Sequence, residues 1–315
     1  MIYDIRQTTT YHYASSVAYA RHVLRLTPID RLGQRVHAAA LDIEPAPIER
    51  REGHDFFGNR MTWIELDQPH DTLSVRVAAR VAVKRDVAPE ATPPWEAIRE
   101  AAFASTDLSP NSPAHYLFPS RQVSLDPEIR AYAADSFSAG RPVLDAAVDL
   151  MRRIKADFVY EIGATTASTT PPMSFALRRG VCQDFAHIMI SGMRGLGLPA
   201  AYVSGYLRTG PLPYPPPHSA SETRVNALVP GEGKEGGARL EGADAMHAWV
   251  LVWCGEEAGW RGLDPTNAIA AGNDHVVLAV GRDYADVAPI DGVIYAAGGQ
   301  RLKVAVSVTP PVAPS

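Results

Sequence analysis

The chain has 315 residues, 46% of them hydrophobic and 21% charged, with a formal net charge of -5. Such a chain can bury an apolar core of its own and is long for a single one, so two domains are expected. The acidic balance excludes the basic footprint of a general nucleic-acid or anionic-membrane surface, and no apolar run approaches the roughly 18 residues of a membrane span.

The opening residues, MIYDIRQTTTYHY, lack a basic segment followed by an apolar one, so a cytoplasmic location is expected. Tyr3, Ile5, Gln7, Thr9 and Tyr11 alternate with polar neighbours, and Leu73, Val75, Val77, Ala79, Val81 and Val83 repeat the pattern. A period of two predicts strands with one buried face. DFFGN at 55–59 carries turn chemistry ahead of the apolar stretch 61–66. Residues 1–90 therefore read as an antiparallel β domain.

Residues 91–125 are rich in Pro, Ser and Ala and read as a connector with one short helix near Trp95 to Phe103. Asp126 before Pro127 is a helix start, and Leu144, Ala147, Val148, Met151 and Ile154 lie at helical spacing on one face. This opens a second domain, residues 126–315, and makes the fold class α+β. Residues 158–160 read as a short extended segment, followed by a helix opened by Gly180-Val181-Cys182 and closed near Gly197. The Pro- and Gly-rich stretch 209–243 is a long loop, functional or mobile. Residues 301–308 alternate as a last strand, and either domain is open to it.

Two cysteines are present, Cys182 and Cys254, and a reduced pair is expected. Cys182 falls in the first turn of a nearly all-apolar helix, where unpaired amides and the macrodipole favour a thiolate. A buried structural cysteine is the competing reading, and the partners decide. His247 begins a strand, Met246 to Trp253, and Asp264 ends the next. With His247 opposite Asp264, Trp249 faces Gly262, Leu251 faces Trp260, and Cys254 to Glu257 form the loop. A carboxylate so placed would orient the imidazole, as in a nucleophile–base–acid triad. His187, five residues after Cys182, is rotated by roughly 140° from it on the helix and is set aside as the base. The two cysteines with His247 and Asp264 lack the short ligand spacings of a zinc site, and the glycines of GEGKEGG do not open a helix, so neither a metal nor another cofactor is expected.

The segments GVCQDFAHIMISGMRGLGLPAAYVSGYL, MHAWVLVW, GWRGLDPTNA and HVVLAVGRDYADVAPIDGVIY strongly resemble bacterial transglutaminase-like proteins, often described as cysteine proteases. DFFGNRMTWIELDQPHDTLSV resembles the β domain that precedes the catalytic domain in that family. The resemblance implies a papain-like core in which Cys182 is the nucleophile, His247 the base and Asp264 its orienting carboxylate. Its expected substrate is a peptide or amide, cleaved through a thioester; amine transfer and a non-catalytic peptide-binding or assembly role are the alternatives. Gln183 and Tyr206 are candidates for stabilising the oxyanion beside the Cys182 amide, and Trp249 for shielding the imidazole. Met246 stands where the family commonly has a small hydroxyl residue, and the loop before it is enlarged.

Overall fold

The computed structural model describes residues 1–31, 33–86, 89–209, 240–243 and 245–311. The first six strands are β1 (Ile2–Val17), β2 (Tyr19–Leu24), β3 (Gln34–Glu44), β4 (Glu49–His54), β5 (Arg60–Leu66) and β6 (His70–Val83). They divide between two antiparallel sheets, and each sheet is completed by a strand from the far end of the chain. One has the order β15-β1-β6-β3 and the other β14-β2-β5-β4, where β14 is Ile290–Tyr295 and β15 is Gln300–Thr309. The tail left open by sequence thus pairs with β1, and residues 290–309, grouped by sequence with the second domain, lie in the sheets of the first. Alternation works as expected: Tyr3, Ile5, Leu73, Val75, Val77, Val81 and Val83 are buried, and residues of both sheets share a core around Val17, Leu24, Ile64 and Leu66.

The helices that follow are α1 (Trp95–Ala104), a 3-10 turn (Pro113–Tyr116), α2 (Pro127–Ala134) and α3 (Val143–Asp157). Asp126 caps α2, its side chain accepting from the amides of Glu128 and Ile129. Next come the two-residue strands β7 (Val159–Tyr160) and β8 (Arg179–Gly180), which flank α4 (Pro171–Leu177), and then α5 (Cys182–Gly195). Helix α5 packs on a five-stranded sheet ordered β12-β11-β10-β9-β13. These strands are β9 (Ala200–Leu207), β10 (His247–Trp253), β11 (Trp260–Asp264), β12 (Ile269–Ala270) and β13 (His275–Gly281), and β13 leads into the short helix α6 (Tyr284–Val287). Phe185, Ile188, Met189 and Met193 of α5 share a core with Tyr202, Ala248, Val250 and Val252. Every residue of β9 and β13 is buried, because the sheet is covered by helices on one side and by the β sandwich on the other.

The cover is fastened at the edge of the sheet. An exposed edge strand has backbone groups in need of partners, and β13 finds them on the sandwich. The Gln34 amide donates to the Val277 carbonyl (2.8 Å) and accepts from its N–H (2.8 Å). Asn59, at the end of the DFFGN turn, does the same at Val280 (2.8 and 2.8 Å).

The β10–β11 hairpin departs from the expected register. Leu251, not Trp249, opposes Gly262, and Trp253 opposes Trp260. The physical cause is the loop, which runs through Gly259: Gly255 and Gly259 both take positive φ (100° and 64°), and Cys254 N–H reaches Gly259 O at 2.9 Å. A slip of two residues preserves the faces of both strands. Asp264 consequently reaches His247 diagonally rather than from directly across.

Candidate active site

Cys182 is the first residue of α5 and is partly exposed. Its turn is held from beneath by Asp184, which is buried and accepts from the Val181 N–H (2.8 Å) and the Thr165 hydroxyl (2.6 Å). Burial pushes the Asp184 carboxyl up, against these two bonds. Gly180 leaves room for it: a Cβ there would lie 2.5 Å from Asp184 Oδ2.

His247 opens β10 and is 2% exposed. Its Nε2 donates to Asp264 Oδ2 at 2.9 Å. Asp264 has no exposed surface and accepts four further bonds. Oδ2 also takes Asn267 Nδ2 (2.8 Å) and His275 Nε2 (3.3 Å), while Oδ1 takes the amides of Thr266 (2.9 Å) and Asn267 (3.3 Å). The two amide bonds are an Asx-type turn written in DPTN, in which Pro265 itself has no N–H to offer. Burial alone would raise the Asp264 carboxyl, but the charge and hydrogen bond of His247, joined by those of His275, hold it well below the usual carboxylate range. Burial alone would conversely lower the imidazole. Asp264 overrides this through charge and hydrogen bonding, Cys182 adds to it, and the His247 ring is held above its ordinary value.

The other ring nitrogen, Nδ1, has no hydrogen-bond partner among the described residues, and the nearby Cys182 thiol is among the groups that raise the ring. Gly242 borders the same nitrogen: at φ 83° it has no Cβ, and one built there would stand 2.5 Å from Nδ1. Tyr160, Tyr202 and Tyr284 surround the thiol closely enough to register its charge, and burial raises all three phenols, that of Tyr160 to about 12.

Of the remaining residues singled out by sequence, Trp249 lies against the His247 imidazole, ring centroids 6.3 Å apart and planes at 25°, with its edge arrangement to His275 at 5.1 Å. Gly205, opposite His247 on β9, makes space for the indole: a Cβ would meet Trp249 Cη2 at 2.5 Å. Gln183 turns away, donating to Ala167 O at 3.1 Å. Tyr206 is also elsewhere, fully buried in the junction with the sandwich, where its hydroxyl donates to Gln7. Cys254 is buried in the helix–sheet core, and burial raises its thiol to about 12. His187, lowered to about 4 chiefly by burial, accepts from the Tyr284 N–H at 3.2 Å. Most of the loop 209–243 falls outside the described residues. His275, Asn267, Asp184, Gly242 and the three tyrosines were not singled out by sequence. Asp184 and Asn267 had local signals, as the third residue of a helix and the end of an Asx turn; the others depend on tertiary placement.

A cysteine at a helix N-terminus beside a histidine and an aspartate from neighbouring antiparallel strands defines a thiol-dependent, papain-like class of site. Residues 3–82 match the bacterial transglutaminase-like N-terminal region, and residues 130–265 match the transglutaminase-like superfamily. The chain belongs to the transglutaminase-like superfamily, in its bacterial form with this N-terminal region. An uncharacterized protein of Mycobacterium tuberculosis (strain H37Rv) is 36% identical, the match covering 98% of this chain and 92% of that protein. An uncharacterized protein of Mycobacterium leprae is 28% identical, with 96% of each covered. The fold is similar to a crystal structure of a putative cysteine protease from Cytophaga hutchinsonii, with a TM-score of 0.69, 20% identity, and coverage of 100% of this chain and 92% of that one. No helix among the described residues is long and apolar enough to cross a membrane.

Proposed function

We propose that the protein is a cysteine-nucleophile hydrolase, a peptidase or amidase, working through a Cys182–His247–Asp264 triad. The observation that carries this reading is Asp264, a buried carboxylate whose two oxygens receive five donors, which fixes the His247 ring with Nε2–H on the acid and leaves Nδ1 for the thiol. The thiol proton passes to Nδ1, and the sulfur attacks the acyl carbon of the substrate. The backbone amide of Cys182 donates to the oxyanion. The imidazolium, stabilised by Asp264, then protonates the leaving amine, and water attacks the thioester with His247 again taking the proton. Two unbridged thiols suit the reducing cytoplasm.

Iodoacetamide tests the reading without a known substrate. In a Cys254→Ser background, alkylation of Cys182 should proceed at pH well below the free-cysteine value of about 8.5, and His247→Ala should slow it at pH 6 by about tenfold or more. Equal, ordinary reactivity in both proteins would overturn the enzyme reading and favour a binding module. With the activated thiol in hand, product analysis of model peptides with and without added primary amine separates hydrolysis from acyl transfer.

A further inference from the structure

A cavity lies on the side of the five-stranded sheet that faces the sandwich. It encloses about 610 Å³, and none of Cys182, His247 and Asp264 is among its lining residues. That volume falls in the range of small-molecule sites and far exceeds a packing void. One wall is aromatic, formed by Trp249, Trp260 and Tyr116. The other carries Arg31 and Arg85 from the sandwich.

This wall brings two guanidinium groups together, with the charge of Asp55 reaching Arg31 and that of Asp86 reaching Arg85. Arg31 and Arg85 are both largely buried and close enough for the charge of one to act on the other; burial first, then that repulsion, lowers Arg85 to about 10. Burial likewise lowers Arg31. The carboxylates that line the cavity, Asp30 and Asp86, are exposed to solvent, and Asp30 already accepts from the Val36 N–H at 2.6 Å. Arg31 spends Nη2 on Phe57 O and Asn59 Oδ1, but its buried Nε has no partner among the described residues. Arg85 donates to the carbonyl of His275, bringing that residue to the same corner (3.2 Å). The His275 side chain is 1% exposed, lines the cavity, and its Nδ1 also lacks a partner among the described residues. Arg261, a further lining residue, likewise has a buried Nε with no partner among the described residues. Buried polar atoms are ordinarily satisfied, so three such atoms on one cavity mark a place prepared for a ligand.

We propose that this cavity binds a small organic anion, a carboxylate carried on a planar apolar body, with the carboxylate at Arg31 and Arg85 and the body against Trp249 and Trp260. An inorganic anion would match the guanidinium groups and leave the aromatic wall wet; a neutral aromatic molecule would do the reverse. The site is distinct from the Cys182 thiol and stands whether or not the hydrolase reading does.

Calorimetric titration of the full-length protein with 3-phenylpropionate and with 3-phenyl-1-propanol tests it. The carboxylate should bind at least about tenfold more tightly than the alcohol, as expected for charge-assisted bonds to a guanidinium. Arg31→Gln and Arg85→Gln should each remove that preference. In crystals of the wild-type protein soaked with 3-(4-bromophenyl)propionate, the anomalous bromine peak should lie beside Trp249 and Trp260, a readout that needs no variant. Equal binding of acid and alcohol, no binding of either, a preference that survives both substitutions, or a bromine peak elsewhere would each overturn the proposal.

Discussion

The sandwich and the five-stranded sheet handle charge in opposite ways. On the sandwich, ion pairs such as Arg76 with Asp42 and Glu44, and Arg80 with Asp4, sit on the outer surface with their side chains about half exposed. In the helix–sheet domain, the Asp264 carboxylate is hydrogen-bonded to His247 and His275 with essentially no exposure of any of the three. Water screens the first set, which decorates a fold already secured by alternating aliphatic residues. The second set has exchanged its water for protein donors, and each member depends on the rest. Substitutions should therefore be tolerated in one region and punished in the other.

The largest effect is expected at Asp264. Asp264→Ala strands two buried imidazoles and three further donors, and should lower stability by about 3–5 kcal/mol in urea unfolding while abolishing the rapid alkylation of Cys182. A loss below about 1 kcal/mol would break the comparison. Asn59→Ala comes next: it removes both bonds to Val280 at a buried edge, and the cost should be about 1–3 kcal/mol, with a small effect on thiol reactivity. Gly242→Ala sharpens the picture differently, since its methyl group would press on Nδ1 of His247. Alkylation of Cys182 should fall by about tenfold or more, and the left-handed backbone together with the contact should cost about 1–3 kcal/mol in urea unfolding.

The pH dependence has two signs. Asp264 is depressed in the folded state, so its stabilisation is present above the unfolded value of about 3.9 and is lost as pH falls through the folded one. His247 is raised, so its contribution is present below the unfolded value of about 6.5 and is lost as pH rises through the folded one. Urea midpoints of wild type and Asp264→Asn should accordingly differ most between these limits and converge toward strong acid and strong alkali. The smallest effect belongs to the sandwich: Arg76→Ala should leave both the urea midpoint and the alkylation of Cys182 unchanged within error.

Much of this was legible in the sequence because its signals are local. Alternation marked β1 and β6, Asp126-Pro127 marked the start of α2, and a cysteine after Gly180-Val181 marked the head of α5. The hairpin register was read two residues out because a four-residue loop was assumed where glycines at 255 and 259 carry a longer one. Tyr206, named as an oxyanion candidate, has its side chain in the junction with the sandwich, packed with Tyr3 and Leu278, which no local pattern encodes. His275 had no local signal either, since only the fold brings β13 under Asp264.

The pairing of β1 with β15 has a consequence for synthesis. Ribosomes extend chains at about 5–20 residues per second, so β1 emerges well before the strand that will cover its edge. Through that interval the sandwich has two sheets each short of a strand, and the helix–sheet domain must be made, and its ends brought together, before either sheet closes. Nascent chains halted before Ile290 should therefore be readily cut by protease within the β domain, while chains released at full length resist.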